Sequence, residues 1–329
     1  MAAYRAAPAC YPAAHPNGRS APMASDPLPS WQETGPRAAL LDFVARVSDP
    51  DHADFVPAPE RIAVFDNDGT LWSERPTYFQ LLYARDRLNQ KAGEDPALLE
   101  NEVMRAVAEG DWDGAFSGGY EGLIGVVTVS HSGMTVEDFQ TDVRDWLAGA
   151  RHPETGRRYT DMVFAPMLEL MALLRDAGFT VWIVTGGGVH FVRAFAAETY
   201  GIPPERVVGS TGPIEYRTEP GPPRIFKLPG LEFMDDGPGK PVGIDRQIGR
   251  VPIFAAGNSD GDYAMLEYVT SAPGPRFGLL VHHTDAEREF AYDRDVALGA
   301  LERGLIDAEG RGWCVLDMAR DWSAVWPER

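Results

Sequence analysis

The tightest constraint in this sequence is one pattern met three times: a short, β-branched apolar run that stops at a turn rich in glycine and oxygen-bearing side chains. Arg61-Ile62-Ala63-Val64-Phe65 leads into Asp66-Asn67-Asp68-Gly69-Thr70-Leu71. Thr180-Val181-Trp182-Ile183-Val184 leads into Thr185-Gly186-Gly187-Gly188, and Val251-Pro252-Ile253-Phe254-Ala255-Ala256 into Gly257-Asn258-Ser259-Asp260-Gly261-Asp262. Apolar runs of this length without alternation suit strands covered on both faces, which is the setting of a parallel sheet. The second and third runs are followed by helical patterns, His190 to Tyr200 and Asp262 to Val269, as α/β crossover units require. Phe277 to Val281 predicts a further strand. The expected fold class is therefore α/β, with a Rossmann-like parallel sheet as its core.

Between the first and second runs lie roughly a hundred residues, far more than a crossover needs. Their pattern is mostly helical, as at Tyr78 to Leu88 and Ala97 to Glu109. The excess predicts a helical cap over 73–160, inserted above the carboxyl end of the first strand, where open α/β sheets bind ligands. The core is then expected over 31–72 and 161–329. A short helix is expected from Pro36 to Val47, after the turn signal Gly35-Pro36. Residues 1–30, dense in Pro, Ala, Gly and Ser, are expected to be a disordered tail.

Composition excludes several classes of function. With 49 acidic against 30 basic residues and a formal net charge of −19, the chain repels polyanions, so nucleic acid is not an expected partner. A small phosphorylated substrate remains compatible, because a local cation and oriented N–H groups outweigh the global field at short range. Cys10 and Cys314 are too few for a disulfide framework and lack zinc-site spacing. No stretch has the length and apolarity to span a bilayer, and Met1 to Ser25 lacks the apolar segment of a signal peptide. The expectation is a cytoplasmic protein with no membrane partner.

Chemistry is concentrated in the three turns. Asp66 and Asp68, two residues apart at a strand end and followed by a glycine that permits a tight turn, can converge on one site, one as nucleophile and one as proton carrier. Thr185, Gly186 and Gly187 offer a hydroxyl and backbone donors to a phosphate oxygen before a helix. Asn258 and Asp262, with Asp260 less favoured, are oxygen ligands suited to a hard cation. Taken singly, each turn has an ordinary explanation: an Asp-Gly turn, a glycine connection, an N-cap aspartate. Three such turns at the same end of three parallel strands are not explained by turn chemistry alone.

In this order the motifs resemble the haloacid dehalogenase-like hydrolase superfamily: Asp-x-Asp-Gly-Thr at 66–70, the Thr motif at 185 and Gly-(Asp/Asn)-Ser-x-x-Asp at 257–262. The resemblance covers 60–71 and 162–285, with the cap placed as in members that carry one after the first motif, and its detail looks most like phosphoserine-phosphatase-type members. It implies a phosphomonoester hydrolase that uses Mg2+. Asp66 would form an aspartyl-phosphate; Asp68 would protonate the leaving alkoxide and then activate water. Asp66, the Asp68 carbonyl, Asn258 and Asp262 would surround the metal, and Thr185 and Gly186 would hold the phosphoryl group.

A lysine is also implied, and two candidates stand in place, Lys240 in Gly239-Lys240-Pro241 and Lys227 in Ile225-Phe226-Lys227, of which Lys240 is favoured. Asn258 stands where many relatives have Asp, which removes one negative charge from the metal shell. Asp68 argues against the dehalogenase branch, which lacks an aspartate there. A phosphotransferase or mutase would use the same residues, and a non-catalytic phosphate-binding module is the reading from another class. His131, Arg75, Tyr78 and Trp72 are candidates for contacts to the rest of the substrate, with a core or capping role equally compatible for His131. Trp112, Trp146 and Trp182 are expected to pack.

Overall fold

The computed structural model describes residues 26–116, 120–219, 221–296 and 298–328. Of the tail expected over residues 1–30, Met1–Ser25, with Cys10, lie outside the described residues. From Asp26 onward the chain is built in: Leu28 is fully buried and Arg37 pairs with Asp26.

Among the described residues eight strands form two sheets. They are β1 (Ile62–Phe65), β2 (Thr180–Gly188), β3 (Val207–Ser210), β4 (Ile214–Arg217), β5 (Arg224–Lys227), β6 (Phe254–Gly257), β7 (Phe277–His282) and β8 (Cys314–Asp317). The large sheet has the order β3-β2-β1-β6-β7-β8. Its pairings β2·β1, β1·β6, β6·β7 and β7·β8 are parallel, so the fold is the Rossmann-like α/β arrangement expected of this sequence. β1 lies at the centre, with Ile62 opposite Thr180 on one side and Ala63 opposite Phe254 on the other. All four of its residues are buried, which explains the unbroken apolar run.

The chain divides into two compact units. One comprises residues up to Ser73, Met162–Val184 and everything from Lys240 on; the other comprises Glu74–Asp161 and Thr185–Gly239. In the first unit the helices Gly35–Ser48 and Ala165–Asp176 bury Leu40, Phe43, Val44, Leu170, Met171 and Leu174. Phe43 meets Phe179, Phe254 and Phe277, tying the first helix to the strands. Cys314 is a buried free thiol within β8.

The second unit contains five helices between Phe79 and Gly149, the short helices Val189–Arg193 and Ala196–Tyr200, and the antiparallel hairpin β4–β5. Tyr83 sits at its core, edge-on to His131, Phe139 and Trp146 and tilted against Phe191. Among the described residues no helix is long and apolar enough to cross a membrane.

Several boundaries differ from the sequence expectation for local reasons. The third apolar run is a strand from Phe254, with the Ile253 N–H already donating to the Ile62 carbonyl at 2.9 Å; Pro252, just before it, has no N–H to contribute. The stretch Ala97 to Glu109 is a 3-10 turn, Pro96–Glu100, followed by the helix Glu102–Glu109, whose N-cap Asn101 accepts from the Met104 N–H. His190 to Tyr200 is two short helices broken at Ala194 and Phe195.

Candidate active site

The first acidic turn grows directly out of β1. The Asp66 N–H donates to the Ala256 carbonyl at 2.9 Å, so the strand ladder extends into the candidate nucleophile. The chain then folds back on the Asn67 carbonyl, which accepts from Thr70 (3.2 Å) and Leu71 (2.8 Å), while the Gly69 N–H donates to Trp72 (2.9 Å). Gly69 has φ +70, a left-handed conformation that disfavours any side chain, so the glycine after the second aspartate is required by the turn.

Lys240 organises the carboxylates. It lies in the helix Gly239–Ile248 and is 1% exposed. Its Nζ donates to Asp66 Oδ1 at 2.5 Å, to Asp262 Oδ1 at 2.5 Å and to the Val184 carbonyl at 3.1 Å. One buried ammonium thus bridges the ends of the first and third motifs. Burial, reinforced by Asp262, pushes Asp66 well above the usual carboxylate range, against the lowering influence of Lys240. Asp68, partly open to solvent, is also raised by burial, although the Trp72 indole N–H donates to its Oδ1 at 2.8 Å. A raised carboxyl beside the nucleophile has the property wanted of a general acid.

Asp262 is fully engaged by the protein. Besides Lys240 on Oδ1, its Oδ2 accepts from the N–H groups of Asn258 (2.9 Å) and Ser259 (3.1 Å). It therefore fixes the lysine and its own loop, and as a carboxylate it keeps further lone pairs with which it could also face a cation. Gly257 is demanded here by close approach, since a Cβ at 257 would sit 2.4 Å from the Asp262 Cβ. Asp260 caps the helix Arg303–Arg311, accepting from Glu302 (3.1 Å), Arg303 (3.0 Å) and Gly304 (2.8 Å). Asp260→Ala is expected to cost about 1 kcal/mol, as loss of a helix cap does, seen as a lower urea midpoint with the metal requirement of activity unchanged.

Among the described residues no three His, Cys, Asp or Glu side chains form a group suited to a metal ion. The oxygen donors that fit a hard cation are Asp66, the Asp68 backbone carbonyl and the Asn258 amide, whose Oδ1 is oriented by the Thr70 hydroxyl at 3.0 Å. Lys240 pairs with Asp66 and Asp262, and Asp68 feels its charge without touching it, so three carboxyls surround one ammonium and a cation would offset the charge they carry when ionised.

Thr185, Gly186 and Gly187 belong to β2, which runs through the glycines to Gly188 instead of stopping at Val184. The strand continues because β3 comes close: a Cβ at Gly209 would lie 2.9 Å from the Gly187 carbonyl. The buried Thr185 hydroxyl accepts the Gly187 N–H at 3.0 Å, and the Gly186 carbonyl accepts from Ser210 at 2.8 Å. Lys227 has other company. Its Nζ lies 3.2 Å from His190 Nδ1 and 4.6 Å from the centre of the Phe139 ring, and burial lowers it to about 8. His131 is a core residue, held between Ser130 and Gln80 and lowered by burial to about 3.

Sequence reasoning did not single out His283 and Glu289. His283 Nε2 donates to the Gly69 carbonyl at 2.7 Å, and its Nδ1 lies 3.1 Å from Glu289 Oε2. A polar pair at the end of β7, His282-His283, was the one available signal.

A family model described as haloacid dehalogenase-like hydrolase matches residues 63–267. Among solved structures, a conserved protein of unknown function from Anaerococcus prevotii has a TM-score of 0.52 at 16% identity, covering 80% of this chain and 95% of that one. A protein of unknown function from Bordetella pertussis has a TM-score of 0.49 at 18% identity, covering 78% and 98%. A phosphoserine phosphohydrolase-like protein from Francisella tularensis has a TM-score of 0.37 at 18% identity, covering 67% and 87%. Likeness at these identities concerns fold alone. No curated protein matches the sequence. The family match spans well over half the chain, from β1 to the helix after the third motif, and takes in Asp66, Lys240 and Asp262: this chain belongs to the haloacid dehalogenase-like hydrolases.

Proposed function

We propose that this hydrolase is a Mg2+-dependent phosphatase of a small phosphomonoester, with Asp66 as nucleophile and Asp68 as general acid and base. The observation that carries the reading is the buried Lys240 bridge between Asp66 and Asp262, beside a second carboxyl raised by burial. Asp66 attacks phosphorus, forming an aspartyl-phosphate as the ester P–O bond breaks, and the leaving alkoxide takes the Asp68 proton. Asp68, now a carboxylate, takes a proton from water as that water attacks phosphorus and the Asp66–phosphorus bond breaks. Lys240 holds Asp66 in the attacking orientation and offsets charge throughout. Mg2+, held by Asp66, the Asp68 carbonyl and Asn258, would neutralise the transferring phosphoryl group. Asp262 is assigned to positioning Lys240. Thr185 and Gly186 are proposed as hydrogen-bond donors to the phosphoryl oxygens, Thr185 following in the chain on Val184, whose carbonyl Lys240 holds.

The test is phosphate release from a panel of phosphomonoesters, phosphoserine among them, with Mg2+ and with a chelator. Turnover is expected with Mg2+ and at least a hundredfold less with the chelator. An added alcohol that captures the phosphoryl group in place of water would identify a phosphotransferase. Absence of turnover by folded, Mg2+-supplied protein would leave a phosphate-binding module.

A further inference from the structure

The turn that presents Asp66 and Asp68 is braced from a direction the catalytic motifs do not supply. Its Gly69 carbonyl accepts a hydrogen bond from His283 Nε2 at 2.7 Å, and His283 Nδ1 stands 3.1 Å from Glu289 Oε2. Both partners are buried, His283 at 3% and Glu289 at 7% exposure. A carbonyl oxygen only accepts, so Nε2 must carry a proton. Glu289 Oε2 also accepts the Phe290 N–H at 2.7 Å, which holds the carboxyl against the ring. The geometry therefore fixes the ring with its Nε2–H aimed at Gly69 and its Nδ1 against Glu289. The ring is stacked on Tyr292, 4.4 Å between centres, and lies against Phe164, so it cannot swing away from Gly69 without breaking aromatic packing.

We propose that His283, oriented by Glu289, is a positioning residue for the nucleophile turn, gripping the Gly69 peptide so that the Asp68 carboxyl keeps its place for proton transfer. The turn's internal bonds all run among Asn67, Gly69, Thr70, Leu71 and Trp72, and they leave the outward Gly69 carbonyl without an anchor of its own. The Nε2–H of a ring that is itself held on its other side supplies that anchor. A loose turn would misplace Asp68 by a fraction of an ångström, which lowers the chemical step more than substrate affinity.

This inference rests on the phosphatase reading for its kinetic arm and is independent of it for its structural arm. His283→Leu removes the donor, whereas His283→Gln places an amide N–H near the former Nε2; Glu289→Gln keeps an acceptor and removes the charge. Hydrogen exchange of the full chain is measured across 67–72 for all three, with thermal unfolding as the check on folding. In His283→Leu, exchange across 67–72 is expected to rise at least tenfold, with most of the protection restored in His283→Gln. In turnover of a phosphomonoester, His283→Leu is expected to lose about 10²-fold in kcat with KM within threefold, and Gln to recover most of it. Unchanged exchange across 67–72 in a folded His283→Leu protein, or equal effects of Leu and Gln, would overturn the proposal. Wild-type protein without turnover would instead count against the phosphatase reading, and the exchange result would still decide this one.

Discussion

Asp66→Asn is expected to abolish phosphate release, by a factor on the order of 10⁴ or more, while leaving a folded protein that is at least as stable as the parent at pH 7. The amide keeps the size of the carboxylate and an oxygen for Lys240, which retains Asp262 as its counter-ion. The sign of the stability change follows from burial. Asp66 has a folded-state affinity for its proton raised well above the ordinary value, so from about pH 4 upward the folded state binds more protons than the unfolded state. Stability contributed by this position therefore falls as pH rises through that window. Replacing Asp66 with a neutral residue removes the loss, so the advantage of the variant should appear above pH 4 and vanish below it. Urea unfolding at a series of pH values, beside a phosphate-release assay, measures both. A variant that retains a tenth of parental turnover would remove Asp66 from the nucleophile role.

Lys240→Met should be the most damaging single change to stability in the first unit. It leaves Asp66 and Asp262 buried and facing each other without their shared cation, a loss of about 3–5 kcal/mol by analogy with other broken buried pairs. Protonating Asp66, whose carboxyl burial already raises, relieves the repulsion, so the deficit should be larger at pH 7–8 than near pH 4. Turnover should fall by about 10²–10³-fold if the folded variant is assayed, since the developing charge loses a pre-placed donor. Lys227→Met, in a separate hydrophobic setting over Phe139, supplies the comparison. Equal urea midpoints for Lys240→Met and parent at pH 7 would show that the bridge contributes nothing net.

The central sheet was legible in the sequence because β1, β2, β6 and β7 are buried on both sides and so write unbroken apolar runs. β3, β8 and the hairpin β4–β5 were not legible. Val207–Ser210 is four residues whose apolar signal is Val207 and Val208 alone, and β8 buries only Cys314 and Leu316 in alternation. The hairpin alternates Ile214-Glu215-Tyr216-Arg217 over too few residues to stand out, and its apolar side is not buried, Ile214 and Tyr216 being 50% and 63% exposed. The acidic turns were visible because glycine and aspartate are compelled there by geometry, at Gly69 by a left-handed backbone and at Gly257 by contact with Asp262. The choice between Lys240 and Lys227 needed three dimensions: both are mostly buried lysines near glycine- and proline-rich segments, and only packing places one between two carboxylates and the other on a phenyl ring. His283 was hidden for a related reason, as its partner Gly69 lies 214 positions away.

The central position of β1 sets a timetable for synthesis on the ribosome. Asp66 leaves the exit tunnel early, yet the ammonium that compensates it follows 174 positions later, and Asp262 later still. At ordinary elongation rates that is a wait of roughly 10–35 s, during which β1 has neither neighbouring strand β6 nor a counter-charge for its acidic turn. The nascent chain must therefore keep this fully apolar strand and the Asp66 carboxyl at its end in an unfinished state until the last third of the protein has been made.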